Sequence, residues 1–421
     1  MEIARDIEVS KIPAETSLIE RWRQVRAHSI AIAQTLSAED CMAQSMPDAS
    51  PIKWHLAHTS WFFETFVLEK LEEFESEFIA FDPAFRVLFN SYYNGVGEKH
   101  PRPQRGLLTR PTLEQVLAYR KNVDQRIARL WQQVVAANDT AQLQQLQTLL
   151  ELGLQHEQQH QELMLTDIKH LFWCNPLAPA MFSTPIDEAY SNPSLSSHSK
   201  ALQWQTFDAR LLEIGHQGAG FFFDNEAPRH RQFIEAFELG DRLVSNGEYL
   251  AFIEAGGYQN PALWLSEGWD WRQNQALQHP LYWQLQQQHW RVFTLHGWQA
   301  LDLAQPVCHL SYFEASAFAV WAGARLPTEF EWEYAAQQRP DIADWFAHCW
   351  QWTSSSYAAY PGFAIAPGAI GEYNGKFMAN QYVLRGSSCF TPAGHSRLTY
   401  RNFFPATARW QMSGLRLARS L

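Results

Sequence analysis

Three histidines in this 421-residue chain stand where a helical pattern asks for apolar side chains. His156 and His160 fall in LLELGLQHEQQHQELMLTDIKHLF, on a stripe that otherwise runs Leu146, Leu149, Gly153, Met164, Ile168 and Leu171. Positions i and i+4 lie about 40° apart around a helix, so the two imidazoles project together. His58 takes the same kind of place in SPIKWHLAHTSWFFET, on a stripe of Trp54, Trp61, Thr65 and Leu68. A lone inward histidine is more often a hydrogen-bonded core residue. Three imidazoles converging between helices instead form an all-nitrogen metal site with coordination positions left open. Zinc, nickel and iron all accept that donor set on spacing alone.

Other reactive side chains flank the triad. Glu162 completes an HxxxHxE string, but it lies about 200° around the helix from His160 and is not expected to be a ligand. Its expected role is to contact a metal-binding side chain from behind or to bridge to another helix, against that of an ordinary surface glutamate. Gln159, three residues after His156, borders the site and can hydrogen-bond a ligand on the metal. A connection containing FNSYYNGVGEKHPRPQRGLLTRP offers two further groups. Tyr92 and Tyr93 can supply a phenol as acid or hydrogen-atom donor. Arg102 and Arg105 can clamp a carboxylate bidentately, although arginines in such a loop commonly face water.

Four helices must position these groups. Apolar rhythm predicts a first helix from Ala14 to about Leu36. A second is expected to start at Ser50-Pro51, a capping residue followed by proline at the first helical position, and to reach about Leu71. A third starts at Thr112, with Gln115 completing a capping box and Val116, Tyr119, Val123, Ile127, Leu130 and Val134 as its stripe. The fourth spans about Ala141 to Phe172. This pattern predicts a four-helix bundle with one long connection, 73–110, that is a candidate functional loop. From Asn175 to about Trp204 the composition turns to Pro, Ser and Asn. The expected organisation is a bundle over 1–175, a linker over 176–205 and a second domain over 206–421. Only two short helices are expected there, near Ser245–Ala255 and Tyr312–Trp321.

Composition narrows the partners. A net charge of −11 with no Lys/Arg run argues against nucleic acid. No stretch is apolar for long enough to cross a bilayer, and the N-terminus lacks the apolar core of a signal peptide. The five cysteines are scattered without a CxxC pair, which points to a reducing, cytoplasmic address. With 18 tryptophans the chain is rich in aromatic surface suited to flat or cationic small molecules. The oligomeric state is not legible.

Two sets of motifs carry a family resemblance. SPIKWHLAHTSWFFET together with HEQQHQE resembles the DinB-type bundle of ergothioneine-pathway sulfoxide synthases, the EgtB family. RLPTEFEWEYAA, WQWTSSSY, VLRGSSCF and RNFFPATARWQMSGLRLAR resemble the formylglycine-generating-enzyme/sulfatase-modifying fold. The resemblance implies a helical bundle followed by a C-type-lectin-like α+β domain. It implies Fe(II) on His58, His156 and His160, with O2 as co-substrate. The implied reaction joins the sulfur of cysteine or γ-glutamylcysteine to the imidazole C2 of hercynine, a trimethylated histidine, as a sulfoxide. By the same resemblance Gln159 contacts the imidazole, Asn402 holds its carboxylate and Phe403 lies beside the trimethylammonium. Arg102 and Arg105 match the clamp for the thiol's carboxylate, and Tyr92 and Tyr93 match active-site tyrosines of one branch. Members using γ-glutamylcysteine tend to carry Asp after the RN-aromatic triplet. Phe404 stands there instead, which favours free cysteine. A selenoneine synthase using a selenosugar, and a DinB-type metal-dependent thiol transferase, are the alternative readings. A formylglycine-type oxidase needs a close cysteine pair in the C-terminal core, where the motifs supply only Cys389.

Overall fold

The computed structural model describes residues 16–71, 78–182 and 201–421. Its N-terminal half is the expected bundle: α1 Leu18–Gln34, α2 Ile52–Phe63, α3 Leu113–Ala137 and α4 Thr140–Cys174. The predicted first residues of α1, Ala14 and Glu15, and part of the long connection lie outside the described residues. All of α2 is buried, its polar Lys53, His55, His58, Thr59 and Ser60 included. It lies against α4 on one side and α3 on another. Gly153 of α4 permits this closeness, because a Cβ there would meet the Phe63 ring at 2.4 Å. Beyond Phe63 the helix loosens into a π-helical turn, Glu64–Leu68, before ending at Leu71.

The N-terminus of α3 is as expected, with Thr112 and Gln115 forming a reciprocal capping box. The start of α2 is not. Pro51 holds the cap position in extended geometry, and Ser50 lies one residue outside the helix. The Ser50 hydroxyl accepts from Arg105 and its backbone N–H donates to Asp167, so tertiary contacts claim the groups assigned to capping.

The second half is an α+β domain of short sheets. In chain order its strands are β1 Trp204–Phe207, β2 Arg210–Ile214, β3 His230–Ile234, β4 Phe237–Gly240, β5 Trp283–Gln286, β6 His289–Thr294, β7 Gly297–Ala300, β8 Trp350–Ser356, β9 Tyr382–Gly386, β10 Asn402–Phe404, β11 Ser413–Gly414 and β12 Ala418–Ser420. The sheet ordered β10-β9-β8-β11 carries WQWTSSS, VLRG and NFF on neighbouring strands. Helices α5 Asn246–Glu254 and α7 Tyr312–Trp321 match the expected pair. Two more were not anticipated, α6 Ser266–Asn274 and α8 Glu329–Gln338. The second is announced by a capping box, Thr328 with Glu331, inside the RLPTEFEWEY motif. Its charges are used internally: Glu329 pairs with Arg401 at 2.7 Å, and Glu333 pairs with Arg385.

The two halves share one apolar core. Helix α4 supplies much of the polar junction between them. Gln155 meets His395 at 2.7 Å, Gln159 meets Tyr400 at 2.6 Å, and Lys169 meets His309 at 2.8 Å. Glu162 binds Trp350, Ser388 and Thr391. Among the described residues, no helix is long and apolar enough to cross a membrane.

Candidate metal centre

The predicted triad assembles. One ring nitrogen from each of His58, His156 and His160 lies within 4.8 Å of the others. His58 comes from α2 and the other two from successive turns of α4. His58 is clasped between Trp54 and Trp61, at centroid distances of 4.6 and 5.5 Å, and Phe62 packs on His156 at 4.5 Å.

The hydrogen bonds fit a cation among these rings. The Nδ1–H of His58 donates to the Phe89 carbonyl at 2.7 Å, which leaves its Nε2 with a lone pair. That Nε2 lies 3.2 Å from Nε2 of His156, whose Nδ1 is buried without a partner among the described residues. Two nitrogens so spaced match neighbouring ligands on one ion with bonds of about 2.1 Å. Burial holds all three imidazoles below their ordinary range, and their mutual proximity reinforces this for His58 and His160. His156 is pushed down to about 3. Neutral rings with free lone pairs are what a metal requires.

The sequence-derived neighbours divide. Gln159 borders the triad and is held from the second domain: its amide donates to Tyr400, and its carbonyl accepts from Tyr373. Tyr92 and Tyr93 stack at 4.5 Å with hydroxyls 3.3 Å apart. Tyr93 turns back toward Phe66 and Trp61, while Tyr92 faces Phe377. Arg105 is buried, with its guanidinium 3.3 Å from the centre of the Trp54 ring, and among the described residues it forms no ion pair. Arg102 is exposed on the same short 3-10 turn. Asn402 is half-buried, and its side chain accepts the N–H of Phe403. Phe403 stacks on Tyr357 at 4.1 Å and faces Phe377 at 5.7 Å, while Phe404 turns toward Trp410.

Sequence reasoning missed Tyr373. Its ring stands 5.6 Å from that of His156, and it lies in GEYNG, where no periodicity marks it. His55 shares a side of α2 with His58, and its Nδ1 lies 2.8 Å from Nδ1 of His160. Glu162 is corrected as well. It stays out of the triad, as its angle around the helix requires, yet it is neither interhelical nor exposed, because among the described residues its side-chain hydrogen-bond partners all lie in the second domain. The cysteines are less scattered in space than in sequence, for Cys308 lies close enough to Cys349 to push its thiol up, with burial adding to the shift.

Comparison with known proteins agrees with this architecture. Residues 21–164 match the DinB superfamily, and residues 205–340 match the sulfatase-modifying factor enzyme 1-like domain. A hercynine oxygenase of Mycobacterium tuberculosis is 28% identical over 439 residues, covering 94% of this chain and 96% of the relative. That of Mycolicibacterium thermoresistibile is 27% identical, covering 97% and 95%. That of Mycolicibacterium smegmatis is 29% identical over 63% and 70%. With both domains matched in order and nearly the full length aligned, the chain is similar from end to end to the hercynine oxygenases.

Proposed function

We propose that this chain is an iron(II)- and O2-dependent sulfoxide synthase that joins a thiol to the imidazole C2 of hercynine. The observation that carries the reading is the three-histidine cluster at the junction of the two domains, bordered by Gln159 and by aromatic side chains of the second. His58, His156 and His160 would hold the ion. A ferrous ion with three protein ligands supplies open coordination positions and redox chemistry with O2. The overall change balances with one O2: the imidazole C–H and the thiol S–H are replaced by a C–S bond, one oxygen goes to sulfur and the other leaves as water.

The chain's own residues bind and orient. Gln159, fixed by two phenols, offers its amide edge to the imidazole. Phe403, Tyr357 and Phe377 form an aromatic wall suited to a trimethylammonium through cation–π attraction. Asn402 lies on the same strand as Phe403 and serves the carboxylate. Arg105, a buried cation with no anion paired to it among the described residues, serves the carboxylate of the thiol, with Arg102 at the entrance. Burial raises the phenols of Tyr92, Tyr93 and Tyr373, so at neutral pH they are O–H donors. With Phe404 rather than an acid after Phe403, the preferred donor is free cysteine.

The test is mass spectrometry after incubation with iron(II), O2 and hercynine, with cysteine, γ-glutamylcysteine and a selenosugar offered together. A cysteine adduct is expected to dominate. A selenium adduct would replace the sulfur reading, and unaltered hercynine would reject both.

A further inference from the structure

His55 and Asp167 lie beside the triad without belonging to it. His55 precedes His58 by about one helical turn on α2, and Asp167 follows His160 by two turns on α4. Nε2 of His55 lies 3.1 Å from Oδ2 of Asp167, and Nδ1 of His55 lies 2.8 Å from Nδ1 of His160. Both residues are buried. The same Oδ2 accepts the backbone N–H of Ser50 at 2.8 Å, so it acts as an acceptor at that atom.

Proton positions follow from this chain of contacts. Facing an acceptor, Nε2 of His55 carries the proton, and the neutral ring keeps its lone pair on Nδ1. Two Nδ1 atoms at 2.8 Å need one proton between them, and only His160 can supply it. His160 is then protonated at Nδ1, and its lone pair is on Nε2. The network extends further, because the Ser50 hydroxyl accepts from Arg105 at 2.8 Å, and Arg105 covers Trp54, which stacks on His58.

We infer that His55 and Asp167 are a positioning pair that fixes the tautomer of His160 for metal binding, and that Asp167, through Ser50, ties the same unit to the buried Arg105. The inference rests on the triad being a metal site. An imidazole that donates its other N–H to a carboxylate is a better-oriented and more basic ligand. Here a second imidazole stands between ligand and carboxylate, which spans a gap that a direct bond does not cross.

The test measures ferrous affinity of the full-length chain under argon, by competition with a chromogenic chelator, alongside melting of the metal-free protein. Wild type is expected to bind one ion per chain, and His160→Ala none. His55→Phe and Asp167→Ala are expected to weaken affinity by about 10–100-fold, the range found for such supporting contacts. His55→Gln restores it, because the amide can donate to Asp167 and accept from His160. Unchanged affinity in His55→Phe, or equal loss in His55→Gln, would overturn the inference. No uptake by wild type would overturn the triad reading itself. Nitrogen-15 NMR of metal-free wild type provides a check independent of any variant's folding. His160 protonated at Nδ1 supports the pair, and His160 protonated at Nε2 refutes it.

Discussion

The carboxylate of Glu162 accepts the indole N–H of Trp350 at 2.7 Å, binding helix α4, which carries His156 and His160, to a strand of the second domain. Ser388 and Thr391 donate to the same carboxylate, at 2.5 and 2.7 Å. The site is therefore assembled by docking two domains, and the residue two places after His160 locks the assembly. Burial pushes the Glu162 carboxyl up, and these three donors oppose that shift.

Glu162→Ala should orphan a buried indole donor and two hydroxyls, costing roughly 2–4 kcal/mol of stability. Urea unfolding measures this. The three histidines stay in place, so metal affinity should change far less than turnover, which needs the docked second domain.

Acid should unfold the bundle through Glu157, which faces away from the triad. Burial alone would raise its carboxyl, but Arg120, Arg26 and Ser29 overrule this and hold it at about 2. A depressed carboxylate stabilises the fold above its unfolded value, and that stability is lost as pH falls toward 2. The contribution at pH 7 is on the order of 3 kcal/mol. Glu157→Gln should lower stability at pH 7 and flatten its decline between about pH 4.5 and 2. A parallel decline in the variant would contradict this.

Arg105→Met should raise the KM for the thiol by about 10–100-fold, the loss of a charge-assisted hydrogen bond to a carboxylate. The KM for hercynine should change little. Equal effects on both substrates would remove Arg105 from the thiol site.

Tyr373→Phe removes the hydroxyl that donates to Gln159 while keeping the ring beside His156. Sulfoxide formation should slow by about 100-fold, as for a lost proton donor, with simple thiol oxidation products rising in its place. The same change at Tyr93, whose ring turns back into the bundle, should have the smaller effect.

The bundle was legible because helical periodicity and capping residues are local signals. His156 and His160 interrupt an apolar stripe, and Thr112 with Gln115 announces α3. The same logic would have found α8 from Thr328 and Glu331. What stayed hidden joins residues distant in sequence. Glu162 reaches Trp350, Gln159 reaches Tyr373, and Cys308 reaches Cys349, none of which leaves a periodic trace. Ser50 misled for the same reason, since a residue suited to capping was taken by Arg105 and Asp167. His55 was visible on the right face of its helix, but only the closure of α2 on α4 brings its Nδ1 against that of His160.

The most direct test of the central claim uses oxygen-18 gas with the iron-loaded chain, hercynine and cysteine. The account predicts one adduct containing both substrates, lighter by two hydrogens and carrying one labelled oxygen. An unoxygenated thioether, an unlabelled adduct, or oxidised cysteine with hercynine untouched would contradict it.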